Sequence, residues 1–179
     1  MAMRLPAIAA LLFTACNIVR QAQVSPVANA AREGDTAEIR QLAARGADPN
    51  APSGGNHWTP LLHAVHKHQN ASLAALIDAG ADVNRADEQG VTPLMMAAGY
   101  GYDDTVRLLL QRHADARVKR SNGETALDWA MSGMTDIDRF TFLQCQDSTA
   151  KLLHNAAPGV APMGGSKRWA MVKRCGFRA

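Results

Sequence analysis

Six histidines and three cysteines are the residues on which chemistry would have to rest in this chain of 179 amino acids. His57, His63, His66 and His68 fall close together, and on a helix His63 and His66 share a face because they are three apart. Two imidazoles at that spacing can meet one metal ion, but a closed site needs further ligands from elsewhere in the chain. No metal is therefore expected, and His66 is assigned to partner contact or solvation. Asp136 and Asp138 form a carboxylate pair of the kind used in general acid-base work. Alternate residues point apart on a helix, however, and solvated charge is the expected role. No Gly-rich phosphate loop, Gly-x-Ser-x-Gly elbow, Cys-x-x-Cys or His-Glu-x-x-His occurs. Neither a catalytic residue nor a cofactor is expected.

The cysteines divide differently. Met1 to Arg4 make a short positive start and Leu5 to Ala15 an apolar run too short to span the ~30 Å hydrocarbon core as a helix, the pattern of a secretory signal over 1–15. The stretch Leu12-Phe13-Thr14-Ala15-Cys16 resembles a bacterial lipobox, which implies an acylated Cys16 as the mature N-terminus, with 16–24 as a polar tether. Several acyl chains on one cysteine hold it in a bilayer, each buried CH₂ contributing about 0.8 kcal/mol. The expected place is then the periplasm, anchored to a bacterial membrane, the alternative being a soluble periplasmic or secreted protein. Cys145 and Cys175 remain as an even pair. In an oxidising compartment they are expected to bridge, pinning the basic tail to the inserted part of the fourth repeat; the alternative is a buried Cys145 and a free Cys175.

What positions these residues is a repeat. The chain is 47% hydrophobic with nine aromatics, which favours close helix packing over sheet. Thr59-Pro60-Leu61, Thr92-Pro93-Leu94 and Thr125-Ala126-Leu127 begin thirty-three residues apart, and Gly46-Ala47-Asp48 returns as Gly80-Ala81-Asp82 and His113-Ala114-Asp115. Thr caps a helix with its hydroxyl, and Pro at the first helical position lacks only an N–H that would be orphaned anyway. Small Ala64, Ala97 and Ala98 allow inner helices to approach. Leu73, Leu76 and Ile77, matched by Val106, Leu109 and Leu110, give the outer helices their bulk. Gly46 and Gly80 end those helices at positive φ, which costs Gly little.

On these motifs residues 25–157 resemble the ankyrin-repeat family, which implies an all-α solenoid of about four helix-turn-helix repeats at 25–57, 58–90, 91–123 and 124–157. In the first, Pro26 to Glu33 and Thr36 to Arg45 are the expected helices. His68 stands where the third repeat has Gly101, and Leu62 and Met95 replace the family's His after Thr-Pro-Leu. The fourth repeat accommodates an outer helix at Ser148 to Leu153 only with an insertion near 134–144, because an ungapped fit places Arg139 where Val106 is buried. That insertion is amphipathic and is expected to cap the stack or to meet a partner. Residues 158–179 are a Pro/Gly linker and a basic tail, either without fixed structure or in contact with anionic lipid or an acidic partner. Residues 26–157 hold twelve Lys/Arg against sixteen Asp/Glu, so the high pI comes from the ends and no nucleic acid is expected.

The resemblance further implies a non-enzymatic protein that binds or occludes another protein and is a monomer when unbound. Carried over residue by residue, its binding face is Trp58, His66, Lys67, Glu88, Gln89, Val91, Tyr100, Lys119, Ser121, Asn122, Glu124 and Ser132. Trp58 and Tyr100 are the expected anchors, since interface energy concentrates in large aromatics. The competing role for Trp58 is packing on the longer first loop. Two narrower functions fit the same pattern: an immunity protein that blocks a toxin enzyme delivered to the envelope, and a periplasmic protein associated with catalase in oxidative-stress protection.

Overall fold

The computed structural model describes residues 25–132 and 147–160; Cys16, Cys145, Cys175, the insertion and the basic tail lie outside them. The described residues form eight α-helices and no strand beyond one antiparallel bridge between Ser53 and Trp58. They pair along the chain as α1 Pro26–Glu33 with α2 Thr36–Ala44, α3 Pro60–His66 with α4 Asn70–Asp78, α5 Pro93–Tyr100 with α6 Asp103–Gln111, and α7 Ala126–Ser132 with α8 Asp147–Ala156. The odd-numbered helices stack as an inner layer and the even-numbered ones as an outer layer, each pair packing on the next. The loops 45–59, 79–92 and 112–125 project between pairs as fingers.

Local chemistry fixes where the inner helices start. Thr59 Oγ1 accepts from Leu62 N at 3.3 Å and Thr92 Oγ1 from Met95 N at 3.2 Å, each with Pro following. The fourth repeat lacks that Pro and uses a reciprocal cap instead. Asp128 Oδ2 accepts from Thr125 N (2.9 Å) and Oγ1 (2.8 Å), while Asp128 N donates back to Thr125 Oγ1 at 3.4 Å. This pairing explains how Asp128 is buried at 1% exposure where its counterparts are the apolar Leu62 and Met95.

The turn from inner to outer helix requires a left-handed residue. Gly34 sits there at φ +84, a conformation that costs glycine little; a Cβ on it would meet only the flexible end of the Gln69 side chain, so the backbone and not the space favours glycine. Gly101 occupies the corresponding turn at φ +70, and His68 at φ +55. His113 likewise takes φ +66 where Gly46 and Gly80 end their helices. A histidine pays for that conformation in steric energy that glycine does not.

Leu61 and Leu94 fill the inner layer beside Ala64, Ala97 and Ala98, all at most 1% exposed. Leu73, Val106 and Ala150 form one outer row, and Leu76, Leu109 and Leu153 another. Ile77 and Leu110 pack at the edge of this core and are only partly buried. A polar row runs beside the aliphatic ones. Thr105 Oγ1 donates to Asn70 Oδ1 at 2.7 Å, and Thr149 Oγ1 donates to Asp103 one repeat on. Ser72 holds the same place in the second repeat but is fully buried without a hydrogen-bond partner. The side chain in Asn70's register one repeat earlier is Thr36, which is shorter.

Candidate functional site

The fingers register against one another through asparagines that sequence reasoning had not singled out. Asn50 Oδ1 accepts from Asp82 N, and Asn84 Oδ1 from Asp115 N, both at 2.8 Å. Asp48, Asp82 and Asp115 each fold their own finger by accepting from the backbone N–H two residues on. These contacts hold the fingers as one rigid row beside the ends of the inner helices.

Between that row and the inner-to-outer turns, the second and third repeats present a continuous ledge of rings. Trp58, half-buried at the base of the first finger, meets the His63 ring edge-on at 5.5 Å and the His66 ring at 5.2 Å. His66 Nδ1 and the Tyr100 hydroxyl share a hydrogen bond of 2.8 Å. The third repeat has Gly99 at the register of His66. Tyr100 stacks on Tyr102 at 5.2 Å, and Tyr102 lies flat against His68 at 4.0 Å with an interplanar angle of 11°. His68 Nε2 then donates to Asp104 at 3.0 and 3.2 Å, and Asn70 Nδ2 donates to the same carboxylate at 2.7 Å. Trp58, His66 and Tyr100 thus come together as expected residues, while His68, Tyr102 and Asp104 extend the ledge beyond them. The available signal for His68 was a non-glycine residue at a glycine turn.

Three histidines each reach the following repeat: His57 of the first meets Glu88 of the second at 3.4 Å, while His66 and His68 of the second meet Tyr100 and Asp104 of the third. His63 faces inward instead, 8% exposed, with Nε2 near the Ser53 carbonyl at 3.4 Å. Burial pushes its pKa below the ordinary imidazole value. The Ser53 carbonyl opposes that shift, while the charges of Arg32, His66 and Lys67 add to it. Burial alone would raise the Asp104 carboxyl, but the hydrogen bonds from His68 and Thr105 N–H, the His68 charge and its own N–H together hold it below the usual value. Among the described residues no group of three or more His, Cys, Asp or Glu is arranged to hold a metal.

The remaining expected face is uneven. Lys67, Glu88, Gln89, Lys119, Ser121 and Asn122 are exposed. Val91 is not: at 7% exposure it packs into the core, because the residue before the capping Thr92 turns its side chain inward. Glu124 is also corrected from finger tip to internal brace. Its side chain is 15% exposed and Oε2 accepts from Arg120 at 3.0 Å and Trp129 Nε1 at 3.3 Å, with the Arg120 guanidinium 5.5 Å from the Trp129 ring centre. Arg120 Nε also donates to the Gln89 carbonyl at 2.9 Å, tying two fingers together. Ser132 is half-buried and its Oγ donates to Asp128 O at 2.8 Å. Asn122 Oδ1 accepts from Glu124 N at 3.1 Å.

Among the described residues the arrangement brings rings, amides and charged groups together on one side of the second and third repeats. Comparison with known proteins agrees with its architecture. A family model of ankyrin repeats in three copies matches residues 27–120 and again 73–156. Ankyrin repeat domain-containing protein 37 of Mus musculus is 33% identical over 113 residues, covering 62% of this chain and 71% of its own length. Protein phosphatase 1 regulatory subunit 12A of Rattus norvegicus is 36% identical over 106 residues, 59% of this chain and 10% of that protein. Ankyrin repeat family A protein 2 of Mus musculus is 41% identical over 86 residues, 44% of this chain and 28% of its own length. The chain therefore spans most of the first of these relatives and under a third of the other two.

Proposed function

Because this chain belongs to the ankyrin-repeat family, whose members typically bind other proteins, we propose that it is a non-enzymatic binding module whose partner docks on the ledge running from Trp58 through His66 to Tyr100. The observation that carries this reading is the ledge itself. Rings from two successive repeats lie edge to edge along it, held by a hydrogen bond at its centre and braced at its far end by Asp104. Such a surface enters a complex with little side-chain entropy left to lose. Trp58 packs against His63 of α3 and against His66, which puts its ring at one end of this ledge.

The finer part of the proposal is placement. The module is tethered in the periplasm by lipid on Cys16, where it binds or occludes its partner; support for this comes from the residues of 1–16. The two parts have separate tests. Capture with the wild-type chain, followed by loss of the captured protein in Trp58→Ala and Tyr100→Ala variants that keep their helicity, tests docking. Cys16→Ala should release the protein to the soluble fraction or leave it unprocessed, with loss of acyl mass. Unchanged fractionation and mass would remove the anchor while leaving the binding face untouched.

A further inference from the structure

We propose that His68 is a positioning residue of the ledge: its imidazole, carried on a backbone conformation suited to glycine, holds Tyr102 and through it Tyr100 in the orientation that a partner meets. This rests on the reading that the ledge is the docking surface, although the placement of the rings can be measured without it. Among the described residues three besides glycine hold positive φ, and all three are histidines: His57 at +51, His68 at +55 and His113 at +66. Histidine enters this region more readily than most side chains but at a higher energy than glycine, and such strain persists where surrounding contacts determine it. The three differ in what their rings do. His57 and His68 each reach a carboxylate of the following repeat, whereas the exposed His113 side chain makes no hydrogen bond, ion pair or ring contact among the described residues. His113 carries the conformational cost by itself, and His68 carries it together with a set of contacts.

Those contacts form a matched set. At the boundary between the first and second repeats the turn residue is Gly34, the following repeat supplies Gln69, and Ala71 stands two residues on. There the end of the Gln69 side chain lies over the glycine, where a Cβ would meet it. At the boundary between the second and third repeats the same three registers hold His68, Tyr102 and Asp104. All three differ together: a ring lies on a ring, and a carboxylate faces the imidazole N–H. Tyr102 is 4.0 Å from His68 with 11° between the planes. Asp104 accepts from His68 Nε2 at 3.0 and 3.2 Å and from Asn70 Nδ2 at 2.7 Å, so the imidazole is fixed at its face and at its edge.

Tyr100 takes the next place in the stack. It lies 5.2 Å from Tyr102 at 24°, and its hydroxyl shares a hydrogen bond of 2.8 Å with His66 Nδ1. Three stacked rings therefore run from the turn of the second repeat onto the end of α5, with Asp104 at the turn end. Glycine at position 68 would suit the backbone, as Gly34 and Gly101 do at the same turn, but would take away the ring against which Tyr102 lies. A tyrosine that is free to change rotamer has entropy to lose when a partner arrives, and one held in a stack has less. The strain at His68 is thus spent on holding the rings in place.

The test uses the full chain, whose two tyrosines are Tyr100 and Tyr102, so ring-labelled tyrosine gives two sets of NMR signals that Tyr100→Phe and Tyr102→Phe assign. In His68→Gly the Tyr102 signals should move toward those of free tyrosine and the Tyr100 signals should move with them, while circular dichroism keeps its helical amplitude. His68→Asn, which accepts the left-handed turn but has no ring, should move both in the same direction. His113→Gly should leave both tyrosines where they are and raise the unfolding midpoint by about 2–4 °C. His68→Gly should gain less than that, because it gives up the stack and the pair with Asp104. Tyrosine signals unmoved in His68→Gly or His68→Asn, or movement of Tyr102 without Tyr100, overturn the proposal. A midpoint gain in His68→Gly equal to that of His113→Gly overturns it as well, since the ring would then return nothing for its strain. Docking is read separately by capture with Trp58→Ala and Tyr100→Ala: if both variants keep the partner, the ledge fails as the docking surface while the tyrosine signals still decide whether His68 places its rings.

Discussion

The outer-helix rows and the inner-helix ledge are built on the same repeat but treat its register in opposite ways. In the rows the repeats agree. Leu76, Leu109 and Leu153 are interchangeable in kind, each at most 2% exposed, because every repeat must offer its neighbours the same apolar surface. Along the ledge they disagree: Lys67 corresponds to Tyr100, His66 to Gly99, and His68 to Gly101. His66 and Tyr100 belong to different registers and meet only because successive repeats present different side chains. Repetition supplies the scaffold, and departure from repetition supplies the chemistry.

The largest test of this contrast is in the rows. Leu109→Ala should lose about 2–5 kcal/mol of stability in urea unfolding, as expected for a large buried aliphatic whose site cannot collapse. An unchanged unfolding midpoint would contradict the burial of that row. On the ledge the loss should fall on binding instead. Trp58→Ala and Tyr100→Ala are expected to weaken partner binding by roughly 1–3 kcal/mol each. A drop in stability as large as that of Leu109→Ala, without loss of binding, would make the ledge an extension of the core.

A smaller change probes the polar row, where the repeats nearly agree. Thr36→Asn places at the first repeat the side chain that Asn70 offers Thr105, so it should satisfy Ser72 Oγ and stabilise the fold by about 0.5–1.5 kcal/mol. A neutral or destabilising result from calorimetry would show that the residue's length is not what leaves Ser72 unpaired.

The smallest expected effect is a change of slope with pH. The folded pKa of His63 lies below its unfolded value, so between the two the unfolded chain binds the proton first and stability falls as pH drops below the ordinary imidazole range. His63→Met, which installs the side chain of Met96 at the same register, should flatten that part of the stability profile. The Asp104 carboxyl acts further down: its lowered pKa contributes stability above the usual carboxylate range that is lost as pH falls through it, and His63→Met should leave this acid limb in place. A profile that keeps its full slope near neutrality in His63→Met would assign the proton uptake to another histidine.

The helices, their order and the buried rows were legible in the sequence because a repeat writes the same physical requirement several times. Thr-Pro-Leu caps and starts the inner helices of the second and third repeats by local hydrogen bonding, and small inner and bulky outer residues recur at a fixed period. A signal that recurs and acts within a few residues needs no knowledge of the tertiary structure. Trp58, His66 and Tyr100 could be placed on the right side for the same reason, since register fixes the side of a helix. Their mutual contacts could not, because whether the His66 ring reaches Tyr100 depends on how far and at what angle one repeat stacks on the next. Val91 and Glu124 show that limit. Register put both on a finger, yet packing turned Val91 into the core, and Arg120 with Trp129 drew Glu124 inward. The same held for charged groups: the sequence supplies the sum, but only the folded chain decides which carboxylates accept internal hydrogen bonds and which side chains face solvent.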